Sequence, residues 1–459
     1  MSTKACSAIQ LHFASDFLFQ MANKRLEVVL PARNIPNGIR PQCAFVEDHS
    51  VVPPPLLEGD GLACNIIALP PTDATIPGPI MIEVPYSASL RALERELIIW
   101  RKEQDGQWTV HENIGSKIAS TDSATFVNPN EKILRITTAS LPRYFAIVSR
   151  IRQDLATIDP AGGIIPSTAV PAANVLFPVK AVKDVSDMAV QYHQIAPETA
   201  SHFLGGQHAA CCIVTIEPRR MKFDKPIKIT VPVPKGFVKR SQTEYYCNPT
   251  HYRLYCSVAA EHKQSQWEDV TWCNNLVSID NATIQFVTIL SARYWLIDCG
   301  QEIQKRAHEE INLLRDVRLL YKEACAVPYW VRFAVGVRSL GKRFAAIHVA
   351  IVMDDGCDMK KALLPNDGTF REICRSGSME LTEADQISIE VDGNLHLVTK
   401  EEKQTRLIFL PLRNNIIRGL LKVHDPEETR EGRLRILKDV RSRHNEGTKQ
   451  FLYSSSIRV

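Results

Sequence analysis

The sequence predicts a mostly β protein: two tandem, homologous domains of the β-sandwich or barrel-like kind, followed by a third β-rich domain with an amphipathic helix at its start. Three observations support this prediction, namely a repeated phrase, a two-residue alternation of apolar residues, and one segment with helical periodicity. The length agrees with it, because 459 residues are too many for one ordinary core and suggest about three domains.

The repeated phrase is GPIMIEVP, which ends at Pro85 and returns as KPIKITVP, which ends at Pro232. The same offset maps Pro31 on Pro178 and holds without a gap up to the phrase itself. Further matches in this register are Gly59 with Gly206, Ala63 with Ala210, Cys64 with Cys211, Ile66 with Ile213 and Pro79 with Pro226. The repeated unit is about 150 residues long, far longer than a solenoid repeat. We therefore predict two homologous domains at 1–153 and 154–300, and a third domain at 301–459.

The alternation of apolar residues in the repeated unit is typical of strands. PIMIEVP and PIKITVP alternate apolar with mostly polar residues, and proline, which cannot continue a ladder, closes both ends. Short β-rich runs near 96–100 and 124–127 lie on either side of the turn residues Asp105-Gly106. Many short strands at this spacing favour a β-sandwich or a partly open barrel. Trp108 and Trp267 follow the turn in each copy and are expected to be packing residues.

The third domain begins with a helical pattern and continues with strands. Apolar residues recur among charged ones at helical spacing: Ile303, Ala307, Ile311, Leu314 and Leu320. This pattern predicts an amphipathic helix that ends near Pro328. The later run ISIEV-DGN-LHLV predicts a β-hairpin in which Asp392-Gly393 supplies the turn with positive φ.

Composition and charge exclude several classes of function. The net charge is only +4, from 55 basic and 51 acidic residues, so no clustered basic face for nucleic acid is predicted. The first 20 residues make a poor signal peptide, and no run of 18 apolar residues predicts direct insertion into a membrane. Twelve cysteines without a CxxC pair indicate reduced thiols in a cytoplasmic protein.

No catalytic, cofactor-binding or metal-binding residue is predicted. GVRSLGKR nearly spells a phosphate-binding loop, but Arg343 replaces the required hydroxyl and a strand-like run follows, so a hairpin turn is the better interpretation. The series Cys247, His251, Cys256 and His262 lacks the paired spacing of zinc sites and favours ordinary packing. Motifs of hydrolases, zinc proteases and dinucleotide-binding proteins are absent from the sequence. We therefore expect a protein that is not an enzyme.

Basic residues of the first repeat occur in local pairs, which allows two interpretations. The pairs are Lys24 with Arg25, Arg91 with Arg95, Arg101 with Lys102, and Arg150 with Arg152. They could be solvated charges on edge strands, which oppose aggregation. They could instead form a docking face for an acidic protein, because charges at the rim of an interface steer association.

The sequence also resembles the central region of ankyrins. EGDGLACNIIALPP and the strand that follows it resemble the first ZU5 domain of that family, and LGGQHAACCIVTIEPRR with SQWEDVT and SARYWLIDC resembles the second. LLYKEACAVPYWVRF and SIEVDGNLHLV resemble the UPA domain, which also occurs in netrin receptors and in a self-cleaving death-domain adaptor. The resemblance covers roughly residues 10–459.

The resemblance implies a cytoskeletal adaptor module that binds β-spectrin through its first ZU5 domain and so links integral membrane proteins, indirectly, to the membrane skeleton. It places the protein in the cytoplasm, at the inner face of the plasma membrane. The basic residues of the first domain then become the candidate spectrin-binding residues: Lys24, Arg25, Arg33, Arg91, Arg95, Arg101 and Lys102. No ankyrin repeats or death domain occur in the sequence, so we expect a fragment, a short isoform or a divergent small relative.

Two departures from the ankyrin pattern concern spectrin binding. The Asp-Ala-Arg triplet that contributes to spectrin binding in ankyrins has no counterpart in FASDFLFQMANKR. The ankyrin motif EGEGLASR becomes EGDGLACN, so that Asn65 replaces an arginine. The β-spectrin assignment therefore rests on the family as a whole and not on its marker residues.

Two other functions follow from other relatives that share these domains. In a signalling scaffold of the netrin-receptor or death-domain adaptor type, contacts between the ZU5 and UPA domains regulate the molecule. In self-cleaving relatives, a His-Phe-Ser triplet supplies the nucleophile and the assisting histidine. The matching triplets here are Leu141-Pro142-Arg143 and Ser291-Ala292-Arg293. Neither has serine in the third position or histidine in the first, so self-cleavage is not expected.

Overall fold

A computed structural model gives the structure of most of the chain. It describes residues 16–20, 27–31, 44–46, 48–69, 80–91, 94–103, 106–111, 126–128, 132–138, 140–205, 208–234, 252–259, 264–271, 276–279, 282–299, 307–354, 370–398, 405–441 and 448–459. Strands dominate these residues, so the mostly β prediction is confirmed.

The first third of the chain forms two antiparallel sheets. Strands β1 to β11 are, in order, Asp16–Gln20, Glu27–Pro31, Ala44–Val46, Gly61–Leu62, Ile66–Ala68, Ile80–Pro85, Arg95–Lys102, Trp108–Val110, Phe126–Asn128, Ile133–Thr138 and Tyr144–Ile151. One sheet has the strand order β1-β2-β6-β10-β9 and the other β3-β5-β11-β7-β8, with β4 also paired to β11. We call these two sheets the first sandwich.

The middle third repeats this arrangement. Strands β12 to β22 are Gln153–Ile158, Gly163–Pro166, Asn174–Phe177, Ser186–His193, Ala209–Glu217, Lys222–Pro232, Tyr252–Ser257, Glu268–Asp269, Leu276–Ile279, Thr283–Leu290 and Arg293–Asp298. Their orders are β13-β14-β17-β21-β20 and β12-β15-β16-β22-β18-β19. Apart from β4 and β12, the strand orders match those of the first sandwich one for one, as the duplicated sequence predicts. We call these sheets the second sandwich.

The last third begins with a helix and forms two more sheets. The helix α2, Ala307–Ala324, follows a shorter helix α1, Pro197–Leu204, that lies in the second sandwich. Strands β23 to β32 are Pro328–Ser339, Phe344–Met353, Arg371–Arg375, Met379–Thr382, Gln386–Gly393, Leu395–Val398, Arg406–Ile408, Asn415–Val423, Glu431–Asp439 and Lys449–Arg458. The orders are β25-β23-β24-β30-β28, with β26 paired to β23, and β29-β27-β31-β32. We call these sheets the third sandwich.

Alternating residues place an apolar core between the sheets of each sandwich. In the first, Ile82 on β6 and Phe145 on β11 are both fully buried in one cluster. In the second, Ile229 on β17 and Tyr294 on β22 share another cluster. The sandwich prediction is therefore confirmed, and the described residues form no closed barrel.

The helical pattern is confirmed, with bounds that differ slightly from the prediction. α2 ends at Ala324, four residues before the β23 proline, and Ile303 lies outside the described residues. Val317 and Leu320 are fully buried against Trp295 of the second sandwich. Helix α1 was not predicted, although Pro197 near its start and a glycine at its end are ordinary helix signals.

The predicted hairpin around Asp392-Gly393 is wrong. Gly393 does have a positive φ of 95°, but β27 pairs with β29 and β31, whereas β28 pairs with β30 in the other sheet. Asn394 explains the difference: its backbone amide donates to Glu431 O, and its side chain donates to Asp425 O and Thr429 O. These bonds hold the turn against distant loops, so the chain crosses between sheets and does not fold back on itself.

The predicted turn in GVRSLGKR and the predicted packing residues agree with the structure, whereas Asp105 of the other predicted turn lies outside the described residues. The chain GVRSLGKR forms the hairpin between β23 and β24, which pair Ser339 with Ala345. Trp267 is 1 % exposed and packs on Trp295 at 5.6 Å between ring centroids. Trp108 is half-buried and donates from its indole nitrogen to Pro53 O at 2.8 Å.

The first and third sandwiches share one continuous core. Val327 and Tyr329 are buried in the same cluster as Phe145. Backbone hydrogen bonds run from Ser89 N to Pro328 O and from Trp330 N to Ser87 O, at 2.8 and 2.7 Å. The Tyr329 hydroxyl also donates to Leu62 O of β4 at 3.1 Å. The two sandwiches are thus joined as closely as strands within one domain.

Gly61 permits this close approach. A Cβ atom at Gly61 would lie 2.8 Å from both the Tyr329 hydroxyl and a methyl group of Val327. We predict that Gly61→Ala lowers the free energy of unfolding by about 1–3 kcal/mol, because overpacking a buried contact forces neighbours to move. Chemical denaturation of the full chain measures the change. Gly377→Ala is the matched control, since nothing lies within 4 Å of its added Cβ, and equal stability of the two variants would contradict the prediction.

Candidate functional site

The candidate spectrin-binding residues lie in different surroundings. Lys24, Arg25 and Arg33 are outside the described residues. Arg91 follows β6 with a φ of 42° and binds Glu380 of β26 through Nε and Nη2, at 3.0 and 2.7 Å. Its guanidinium therefore contacts the third sandwich in the structure.

Arg95 lies inside the protein and links the loop before β4 to strand β11. It is 4 % exposed. Its Nε donates to Ser149 Oγ at 2.9 Å, and its Nη2 donates to Gly59 O at 2.6 Å and to Ser149 O at 3.1 Å. Burial lowers the pKa of Arg95 from its usual value, and the three bonds compensate the buried guanidinium. These contacts indicate that Arg95 stabilises the fold.

Arg101 and Lys102 lie at the end of β7, next to an aromatic surface. Strand register places Lys102 opposite Trp108 on one side and Tyr144 on the other, and Trp100 opposite Val110. Residues directly opposite in a sheet point to the same face. We call this surface the aromatic face and define it by these five residues: Trp100, Lys102, Trp108, Val110 and Tyr144.

The aromatic face has the composition of a protein interface. Trp100, Trp108 and Tyr144 are half-buried, and Val110 is 51 % exposed. Arg143 places its guanidinium 5.4 Å from the centre of the Tyr144 ring. Aromatic residues and arginine are enriched in interfaces and in their hot spots, so this face is a candidate docking surface.

A second cluster lies where all three sandwiches meet, at Glu58 in the loop before β4. Arg293 of β22 donates from Nη1 to Glu58 Oε2 at 2.8 Å, and the hydroxyl of Tyr321 on α2 donates to the same oxygen at 3.1 Å. Ser265 also donates to this oxygen, and Arg293 donates to Ser265 and Tyr321. Burial opposes ionisation of Glu58, but the Ser265 hydrogen bond and the Arg293 charge outweigh it and lower the pKa of the carboxyl.

Aromatic rings surround this cluster. The Arg293 guanidinium lies 5.0 Å from the centre of the Tyr321 ring. Tyr321 in turn packs edge-on against Trp267 at 5.1 Å and against Trp295 at 6.3 Å. The ion pair is therefore largely shielded from water, which strengthens it and makes the loss of either partner costly.

The residues of this junction were not predicted from the sequence, although the repeat contains a signal for them. The dipeptides Arg143-Tyr144 and Arg293-Tyr294 occupy matching places in LPRYFAI and SARYWLI. In the first copy Arg143 donates to Leu69 O within its own sandwich, whereas in the second copy Arg293 reaches Glu58 of another. Arg293 also donates to Tyr321 of α2.

Comparison with known proteins identifies the domains. A family model for the ZU5 domain matches residues 18–103, and a family model for the UPA domain matches residues 327–457. The chain is thus similar to a ZU5 domain in its first third and to a UPA domain in its last third. The first sandwich thus corresponds to the ZU5 match and the third to the UPA match.

The chain is also similar to ankyrins along most of its length. It is 33% identical to mouse ankyrin-3 over 428 residues, which is 90% of this chain and 21% of the relative. It is 33% identical to human ankyrin-1 over 427 residues, which is 90% of this chain and 22% of the relative. The chain spans about a fifth of the length of these two relatives, and the resemblance to the ankyrin family is confirmed.

Two kinds of feature are absent from the described residues. This part of the chain contains no helix with the length and apolarity that a membrane span requires. It also contains no group of three or more His, Cys, Asp or Glu side chains placed to hold a metal ion. Of the series considered for zinc, Cys256 is buried in β18, and Cys247, His251 and His262 lie outside the described residues.

Asp60, in the same loop as Glu58, is predicted to make stability depend on pH. Burial raises its pKa from 3.8 to about 6, against the opposing effects of the Leu57 amide, Arg150 and Arg95. The folded state therefore holds the proton more tightly than the unfolded chain, and stability is lost as pH rises from about 4 to about 6. At about 1.4 kcal/mol per pKa unit, the loss is about 3 kcal/mol at most.

Asp60→Asn removes the buried charge and keeps an acceptor for the Leu57 amide. We expect the variant to be more stable than the wild type at pH 7 and similar at pH 4, as measured by urea unfolding across this range. Glu428→Gln, at an exposed position, is the control and leaves the pH profile unchanged. A variant less stable than the wild type at pH 7 would show that Arg95 and Arg150 need the Asp60 charge.

Proposed function

We propose that this protein is a non-enzymatic cytoskeletal adaptor that binds β-spectrin through its first ZU5 domain. In this function it links integral membrane proteins, indirectly, to the membrane skeleton at the inner face of the plasma membrane, without a cofactor or nucleic acid. The observation that carries the proposal is the similarity to ankyrin-3 and ankyrin-1 over 90% of the chain. We further propose domains at 1–153 and 154–300, both of the ZU5 type, and a UPA domain at 301–459.

The aromatic face and the neighbouring Arg101 are the part of the first ZU5 domain best suited to this role. Arg101 binds Glu103 at 2.5 Å and Ser140 at 3.0 Å. It lies opposite Phe145 and Thr109 in the sheet, so its side chain points to the other face of the same strand end. Lys102 supplies the cation at the rim of the aromatic face. Half-buried aromatic rings can supply the apolar centre of an interface, and rim charges steer an acidic partner. Arg95 is unsuitable as a test of binding, because its replacement would leave Gly59 O and Ser149 without their donor.

Charge reversal at the rim tests the proposal. We expect Arg101→Glu with Lys102→Glu to weaken binding of the full chain to immobilised β-spectrin repeats about 3- to 30-fold, mainly through slower association. The difference from the wild type should shrink as salt screens the charges. The matched control is Lys222→Glu with Lys225→Glu, two exposed residues of the second sandwich. Equal binding by both variants would contradict the docking face, and no binding by the wild type would contradict the function.

A second candidate function is a signalling scaffold regulated by contacts between the ZU5 and UPA domains. The observation in its favour is the ionic contact across their junction. Lys132 binds the Asp354 carboxylate at 2.5 Å and lies 5.3 Å from the centre of the Trp330 ring. Arg332 binds the other Asp354 oxygen at 3.0 Å, and Asp354 is almost fully buried. Regulation of this kind requires that the junction can open.

Lys132→Glu places a carboxylate against the buried Asp354 and tests whether this contact holds the junction closed. We expect faster hydrogen exchange in β6 and at the start of β23, since breaking a buried pair costs about 3–5 kcal/mol. Lys342→Glu, on the exposed turn between β23 and β24, is the control and leaves exchange unchanged. Unchanged exchange in Lys132→Glu would argue against a junction that depends on this charge.

A further inference from the structure

A cleft of ≈ 1090 Å³ opens beside the Glu58 cluster, between the second sandwich, α2 and the UPA domain. One wall is the exposed side of α2. The opposite side is formed by the loop that carries Glu58, by the chain around Trp267, and by Glu383, Ala384 and Arg441. Junctions between domains are common places for ligand sites.

The exposed side of α2 carries three cations in one line. Arg315, Arg318 and Lys322 are exposed and line the cleft, together with Leu319, which is 41 % exposed. Their spacing of three and four residues places them on one side of the helix. The other side is the buried one that packs on Trp295. The helix is thus divided into an apolar inner side and a cationic outer side, which we call the α2 wall.

This arrangement of charges does not serve the stability of the helix. Like charges three or four residues apart repel each other and weaken a helix. Among the side chains that the structure describes, which on α2 begin at Leu313, no carboxylate forms an ion pair with Arg315, Arg318 or Lys322. Lys322 lies in the last turn, where a cation favours the helix dipole. Arg315 and Arg318 lie mid-helix and gain nothing from the dipole.

Arg318 is held towards the cleft, and the neighbouring charges are mostly committed elsewhere. Its Nη2 donates to Trp267 O at 3.4 Å. Glu58 is paired with Arg293, and Arg441 is paired with Glu323 and with the buried Asp385. Asp60 accepts from the Leu57 amide at 3.0 Å. The exposed carboxylates of the lining are Glu268 and Glu383, on the side opposite α2.

We infer that this cleft binds an extended, acidic polypeptide segment, with its carboxylates against the α2 wall. The line from Arg315 to Lys322 rises about 10 Å along the helix axis, which is the length of about three residues of an extended chain. Carboxylates at alternate positions of such a segment lie about 7 Å apart, so two of them would lie along this line of cations, and Leu319 offers an apolar contact beside them. Glu268 and Glu383 would repel a segment that is acidic on both sides. The segment would therefore bind with its acidic side towards α2.

The inference is independent of spectrin binding, and charge reversal tests it. The probe is a short fluorescent peptide of alternating glutamate and serine, titrated with the full chain. We expect Arg315→Glu, Arg318→Glu and Lys322→Glu together to weaken binding about tenfold or more, an effect typical of charge reversal across an interface. Arg315→Lys with Arg318→Lys, which keeps the charges, should retain most of the affinity. Thermal unfolding confirms that each variant is folded.

The control reverses three exposed cations elsewhere: Lys225→Glu, Arg418→Glu and Lys422→Glu. It changes the net charge equally, so it should keep the affinity of the wild type. Equal loss in both triple variants, equal binding of a peptide with glutamine in place of glutamate, or no binding to the wild type would overturn the inference. Binding to phosphatidylserine vesicles but not to the peptide would assign the α2 wall to a membrane and overturn it as well. β-Spectrin binding, measured in parallel, distinguishes failure here from failure of the proposed function.

Discussion

The carboxylate of Glu58 is the contact on which the relative placement of the first sandwich, the second sandwich and α2 depends most directly. It lies in the first sandwich, and it accepts from Arg293 of the second sandwich and from Tyr321 of α2. Arg293 is 4 % exposed, and a buried guanidinium is tolerated only with good partners. Moving any one of the three parts would take a partner away from the buried Arg293 guanidinium, so their mutual geometry is closely restricted.

The shared core restricts the molecule in a second way. The ZU5 and UPA domains are joined by apolar packing through Val327 and Tyr329 and by backbone hydrogen bonds next to Gly61. Ordinary domain interfaces within a chain are smaller and more polar and permit relative motion. Here the first sandwich completes its core with residues of the third sandwich. A protein that binds one of these two domains therefore contacts a surface whose position depends on the other domain.

Sequence alone could predict the repeated architecture and the nature of most strands, because both leave local signals. Alternation in PIMIEVP and PIKITVP shows which residues face inwards, and the duplication implies the strand order of the second copy from the first. For polar residues, no local signal in the sequence shows whether they are buried or which partners they contact. Arg91 and Arg95 look alike in the sequence, yet Arg95 is buried and Arg91 meets Glu380, which lies 289 residues away along the chain. The turn at Gly393 was assigned to a hairpin for the same reason, since its partners are in distant loops.

The buried arginines of this protein have partners within the fold, whereas the exposed arginines of the α2 wall have no carboxylate partner. This difference supports an external partner for the α2 wall. Arg95 and Arg293 are buried, and the fold provides each with acceptors: Gly59 and Ser149 for one, Glu58 for the other. Arg315 and Arg318 are exposed, repel each other, and have no carboxylate partner among the described residues. A charge that the fold neutralises contributes to the fold. A line of charges that the fold leaves unneutralised beside a cleft is better explained by a ligand that neutralises it, and the rigid junction holds that line in place before the ligand arrives.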